Sequence, residues 1–396
     1  MPADAISRRA FVSAAGAAAL AATLPAPLRG ARRAPRAWRV YLGSYTTSGG
    51  GEGIYRCRLD AASGELRVEE ATPAVDPSFL ALDAPRRRLY AVNEVAEHAG
   101  QPGGAVSAFS VDPQTGALAL LNQQSTRGAE PCHLALEPGG RCVLVANYGA
   151  GSAAVLPLAP DGSLRAASCV VQHTGRGPHP ERQTAPHAHC VVPDAAGRHA
   201  FVVDLGIDRV QRYRLDADAG RLEVAPPDGV ALPPGAGPRH LAFHPAGRLA
   251  FVANELDSTV AVLGYDEATA ALRVLQTIST LPAGFSGENF PAELQVAPSG
   301  RFLYLSNRGH DSLAVFGIDA GRGQLTPLQH EPTGGAWPRH FALDPGGRLL
   351  LVANQRSGSL AAFRVDPASG RLSRLGPTAQ VPAPVCVRFG PALAPP

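Results

Sequence analysis

PRHLAFHPAGRLAFVAN, residues 238–254, decides how the chain is read. An apolar run opened by Pro238 meets a turn ending in Arg248, and a second apolar run closes on Asn254. The same arrangement returns as PCHLALEPGGRCVLVAN from Pro131, PAELQVAPSGRFLYLSN from Pro291 and PRHFALDPGGRLLLVAN from Pro338. Looser copies begin at Pro77 (PSFLALDAPRRRLYAVN) and Ala188 (AHCVVPDAAGRHAFVVD). A Pro-Gly-Gly turn between two short apolar runs is a hairpin signal. Self-similarity at a period of roughly fifty residues is the signature of a β-propeller.

Each copy goes on to a third strand, such as SLAAFRV from Ser359, and then to a link of the form Asp-x-x-x-Gly-x-Leu. That link runs from Asp366 to Leu372 in the last copy and recurs at Asp60, Asp112 and Asp216. With a fourth strand after it, each copy makes one antiparallel blade. Six copies hold a complete leading hairpin, and a seventh is divided between the chain ends. Residues 38–60 read as second and third strands without a first, while PVCVRF at 384–389 reads as a first strand without a second. Joining them closes the ring and leaves no open sheet edge at the seam. The expected fold is all-β: a seven-bladed β-propeller of four-stranded antiparallel blades over 37–396, closed by pairing of N- and C-terminal strands.

Residues 1–36 stand apart. Ser7-Arg8-Arg9-Ala10-Phe11 precedes an Ala-rich apolar run from Val12 to Leu24, the pattern of a twin-arginine signal peptide and linker. The run is too short to span a bilayer. The expected partner is therefore the twin-arginine export machinery, with no stable membrane association after cleavage and a periplasmic or secreted product. A net charge of +3 without a basic stripe argues against nucleic acid as a partner. All 36 basic side chains are Arg, which excludes Schiff-base catalysis by Lys and a P-loop. The 6 cysteines form no CxxC pair and are expected to be small buried hydrophobes.

In an antiparallel blade the start of strand one and the end of strand two lie at the same end. The Pro-x-His openings and the loops after each Asn therefore share one face of the disc, and the Pro-Gly-Gly turns share the other. Strand one is innermost, so its opening residues are expected to rim the central channel. The first opening position holds Cys132, His189, Arg239, Ala292 and Arg339; the second holds His133, Cys190, His240, Glu293 and His340. The loops after strand two add Asn147-Tyr148, Asn254-Glu255 and Asn307-Arg308, and a long loop in the fourth copy adds His187. Glu293 stands where other copies carry His, and a carboxylate there is costly unless paired. Arg239, Arg308 and Arg339 are its expected partners, so these four lead the candidates. The recurrent Asn is expected to cap a turn, and His240 and His340 read equally well as links between blades. His173, His199, His244 and His330 are expected to be solvated. His133, His187 and His189 have no Cys or carboxylate at ligand spacing, so neither a metal nor a cofactor is expected.

GSYT at Gly43, GPRHLAFHP at Gly237, NELDSTV at Asn254, PAELQV at Pro291, SNRGHDSLAVF at Ser306 and PRHFALDP at Pro338 carry a resemblance. With these motifs, residues 38–390 resemble the seven-bladed propeller lactonase family, which includes 6-phosphogluconolactonases and carboxymuconate lactonizing enzymes. The resemblance implies metal-independent hydrolysis of a sugar lactone, with the family's polar cluster falling on His133, His189, Arg239, Glu293, Arg308 and Arg339. On that reading Glu293, His189, Arg239 and Arg308 are the catalytic candidates, with His189 or Glu293 as base and the two arginines stabilising the oxyanion. His133, Tyr148, His187, His240 and Arg339 are the substrate-binding candidates. The export signal departs from an enzyme acting on a cytoplasmic sugar phosphate. Two other classes remain open: a non-catalytic binding propeller, and an enzyme that closes or opens muconate-type lactones.

Overall fold

The computed structural model describes residues 35–393, so the paired-Arg segment and the apolar run after it lie outside the described residues. Seven four-stranded antiparallel sheets account for the architecture, together with one short pair, Glu97–His98 with Gln101–Pro102. Blade 1 joins Ala37–Ser44, Ile54–Asp60 and Leu66–Thr72 to the C-terminal strand Pro384–Leu393, which is innermost. Blades 2 to 7 span 80–125, 131–172, 188–231, 238–279, 290–332 and 338–380. At the seam Tyr41 faces Arg388, Leu42 faces Val387 and Gly43 faces Cys386. The ring closes as its divided seventh copy requires.

The core lies between blades rather than inside any one of them. Second strands such as Leu249–Asn254 and Leu349–Asn354 are buried at every residue, because a neighbouring blade covers each face. Phe251, Val260 and Val262 of blade 5 pack with Leu303, Leu305 and Phe316 of blade 6. Each such side chain contributes roughly 1.5–3 kcal/mol on burial. Fourth strands such as Leu66–Thr72 face solvent and carry charge. All 6 cysteines are free thiols, and Cys169 alone among them is not buried.

Two sequence features shape the upper rim. Pro131, Pro238 and Pro338 begin their strands opposite Asn147, Asn254 and Asn354, where a residue without an N–H is tolerated. Each Asn ties the end of strand two to the start of strand three: Nδ2 donates to Ser152 at 3.1 Å, Thr259 at 2.8 Å and Ser359 at 3.4 Å.

Candidate active site

Six blades carry a β-bulge where the inner strand begins. The register slips between Pro131 and His133, Ala188 and Cys190, Pro238 and His240, and Pro338 and His340. A bulge leaves one residue unpaired and re-aims its side chain. The unpaired residues here are Cys132, His189, Arg239 and Arg339. Three of them, Cys132, His189 and Arg339, line a pocket of about 580 Å³ on the upper face. The position after strand two supplies most of the rest: Tyr45, Glu94, Tyr148, Glu255 and Arg308 come from blades 1, 2, 3, 5 and 6. Arg182 reaches in from the long loop, and Trp337 and Arg356 complete the far wall.

Glu255 is the hub. Its Oε2 lies 3.0 Å from Arg239 Nε and 2.6 Å from Arg308 Nη2, and its Oε1 lies 2.6 Å from Arg182 Nη2. Burial works to raise this carboxyl, but the guanidinium charges of Arg308, Arg239 and Arg182 outweigh it and hold it well below the ordinary 4.5. Burial pulls Arg308 down to about 9; Glu255 opposes the fall and the like charges of Arg239 and Arg339 add to it. A guanidinium in that range is still charged at neutral pH. Arg339 donates to Tyr45 Oη at 2.9 Å, and Tyr45 Oη donates to Glu94 at 2.9 Å. Burial pushes the Glu94 carboxyl up against the pull of Arg339. The guanidinium carbon of Arg356 stacks 3.4 Å from the Trp337 centroid. Among the described residues neither Arg339 nor Arg356 has a carboxylate at ion-pair distance. The pocket is therefore electropositive.

His189 is buried, with Nδ1 3.7 Å from Cys132 Sγ and its ring edge-on to Tyr148 at 5.5 Å. Burial first, then the charge of Arg239, drives it well below its ordinary 6.5, so the imidazole is neutral. Its Nε2 has no hydrogen-bond partner among the described residues. Arg239 Nη2 and Arg308 Nη1 are likewise unengaged.

The second opening positions make a separate tier underneath. Phe79 lies tilted over His133 at 4.1 Å and meets His340 and His240 edge-on at 5.5 and 5.9 Å. Rings from blades 2, 3, 5 and 7 thus meet across the axis and plug the channel below the pocket. Here every histidine is committed. His133 Nδ1 accepts from Val191 N at 3.3 Å, and His340 Nδ1 accepts from Val387 N at 3.3 Å, each across a blade boundary. His240 Nε2 lies 3.1 Å from Arg239 Nη1 and its Nδ1 lies 2.8 Å from Glu293 Oε2. Arginine can only donate, so His240 accepts at Nε2 and donates from Nδ1–H to Glu293 Oε2. Burial holds His133 and His240 well below 6.5, and takes His340 down to about 3 against the charge of Glu293.

The model described as Lactonase, 7-bladed beta-propeller matches residues 39–389. The chain belongs to this lactonase family. A curated 6-phosphogluconolactonase of Bacillus subtilis is 37% identical over 357 residues, 88% of this chain and 97% of the relative. A 6-phosphogluconolactonase of Formosa agariphila is 32% identical over 303 residues, 76% of this chain and 84% of the relative. The solved structure of a periplasmic gluconolactonase of Pseudomonas aeruginosa matches with a TM-score of 0.85 at 37% identity, covering 90% of this chain and 100% of that one.

In this lactonase the expected pairing of Glu293 with Arg239, Arg308 and Arg339 is not what forms. Glu293 is held by His240, Gln295 and His340, while Glu255 takes Arg239 and Arg308. Of the nine candidates from sequence, His189, Arg308, Arg339 and Tyr148 line the pocket. Arg239 stands directly behind it on Glu255, and Glu293, His133 and His240 lie in the tier below. His187 stacks on the ring of Tyr148 at 4.5 Å and backs that wall. Two histidines expected to be solvated are buried: His173 pairs with Asp204 at 2.6 Å, and His244 Nε2 lies 2.8 Å from Gly300 O. Glu255, Arg182, Tyr45, Glu94, Trp337 and Arg356 were not among the candidates. Aligning the copies on the Asn after strand two, as well as on the turn Arg, brings out Glu94, Tyr148, Glu255 and Arg308 together. Among the described residues no three His, Cys, Asp or Glu side chains are grouped to hold a metal ion.

Proposed function

We propose that the chain hydrolyses a sugar-type lactone in the upper pocket. The observation that carries this is one pocket lined by the neutral imidazole of His189 and the guanidinium of Arg308, with Arg239 directly behind them on Glu255. Water attacks the lactone carbonyl, giving its proton to His189 Nε2 as the new C–O bond forms. Arg308 binds the oxyanion, and the charge of Arg239 directly behind the pocket adds to the stabilisation. Collapse breaks the ring C–O bond, and the proton on His189 passes to the leaving oxygen. Glu255 holds the arginines in place; gripped by three guanidinium groups, it is too weak a base to serve itself. Glu293 acts at one remove, orienting His240 and through it Arg239.

Two relatives named as 6-phosphogluconolactonases and one named as a gluconolactonase support lactone chemistry. The paired-Arg leader, with the periplasmic relative from Pseudomonas aeruginosa, supports a periplasmic site of action. Acid release from glucono-1,5-lactone, followed in a pH-stat above the uncatalysed rate, is the direct test. Turnover is expected in the wild-type protein and about a hundredfold less in Arg308→Ala, the scale of a lost oxyanion donor. Equal turnover in the two proteins would reject the assignment.

A further inference from the structure

The Tyr45 and Arg356 wall of the pocket is shared with a second cavity of about 400 Å³. This cavity lies over the junction of blades 7 and 1, where the loop after Asn354 faces the loop after Ser44 and the Pro382-Ala383 approach to the C-terminal strand. Its lining differs in kind from that of the main pocket. Arg356 is the one charged group; Ser48, Gln355 and Ser357 bring hydroxyl and carboxamide groups between glycines. Gln355 holds in blade 7 the position that Glu255 and Arg308 hold in theirs. Its carboxamide makes no side-chain hydrogen bond among the described residues, and its Oε1 is shut off from solvent without a partner. An unmet buried acceptor is unfavourable, and here it belongs to a residue that lines the cavity. Arg356 is similarly unengaged along its N–H edge, having Trp337 on its face.

A polar, nearly uncharged cavity with unengaged donors and acceptors suits a unit that both donates and accepts at several positions. Sugar hydroxyls do so. We propose that this cavity is a subsite for a glycosyl unit attached to the lactone, making a disaccharide aldonolactone the preferred substrate. The lactone ring then sits between His189 and Arg308, and the second sugar lies past Tyr45 against Gln355 and Arg356. The proposal rests on the lactonase reading above, and the bond broken is the same ring ester.

The test compares initial rates of acid release from glucono-1,5-lactone, cellobionolactone, maltobionolactone and 6-phosphogluconolactone with the purified chain. A disaccharide lactone is expected to show kcat/KM about tenfold above gluconolactone, the equivalent of one good contact. Gln355→Ala should remove most of that advantage through KM. Ser48→Trp, which fills the cavity from an exposed loop position, should abolish it with gluconolactone turnover retained. Gluconolactone turnover with no disaccharide advantage overturns the subsite and leaves the lactonase reading standing. So does an advantage that survives Ser48→Trp, or one confined to the phosphorylated lactone, which would mark an anion subsite instead. Hydrolysis of none of the four overturns both.

Discussion

The two tiers at the channel mouth are built from consecutive residues of the same strands, yet they handle buried polarity in opposite ways. In the lower tier each histidine is neutral and committed, to Val191, to Val387, or to Glu293 and Arg239. In the upper tier Arg239, Arg308 and His189 keep nitrogen atoms that nothing among the described residues engages. Residue type does not separate the tiers, since both contain His and Glu. The number of hydrogen-bonding positions left over does, and a ligand can use only those.

The difference can be broken most sharply at Glu255. Glu255→Ala leaves Arg182, Arg239 and Arg308 facing one another without a counter-charge, a change that typically costs about 3–5 kcal/mol. Denaturant unfolding should register it, and an unchanged midpoint would mean the cage contributes nothing. Next, His189→Ala should lower kcat/KM by about 10²–10⁴, the range for a general base.

Acid should act on both tiers, and the sign follows from the buried histidines. His133, His189, His240 and His340 are all held below 6.5 when folded, whereas the unfolded chain protonates them near that value. Stability is therefore full above pH 6.5 and falls as pH drops beneath it, by up to about 1.4 kcal/mol per unit for each group. Unfolding midpoints measured from pH 7.5 to pH 5 should decline, with net proton uptake on unfolding. Activity should follow a different course. With neutral His189 as the proposed base, kcat/KM should stay level through pH 6.5 and fall only at more acid pH. The smallest expected effect belongs to Glu293→Gln: less than about tenfold in kcat/KM, with a lower melting temperature from the weakened His240 contact. A loss as large as that of Arg308→Ala would erase the distinction between the tiers.

The repeat made the fold legible from residues alone. Pro-x-His openings, Pro-Gly-Gly-Arg turns and the orphan PVCVRF strand specify seven blades and their closure, because each is a local backbone signal. The site was legible in composition and face, with Arg239, Arg308, Arg339 and His189 all placed on the upper rim. The partnering of Glu293 was not. In a regular strand neighbouring side chains alternate, and a bulge breaks that alternation by one residue without any marker in PRH or PAE. Whether position one or position two reaches the pocket depends on that single slip. Arg182 was hidden for another reason: it sits in a loop with no counterpart in the other copies, and repetition carries no information there.

The strand that completes blade 1 is synthesised after every other strand of the ring. Arg388 donates to Leu80 O at 2.6 Å and lies 4.7 Å over Phe79, so blade 2 and the channel plug wait on residues near the C-terminus. A nascent chain halted just before Pro384 already holds every polar group of the pocket, but its first sheet still has a bare edge beside blade 2. Translation must run through Pro384–Leu393 before the ring can close. A nonsense mutation at codons 384 to 389 should therefore yield a sticky, protease-sensitive product and not a slightly shortened catalyst.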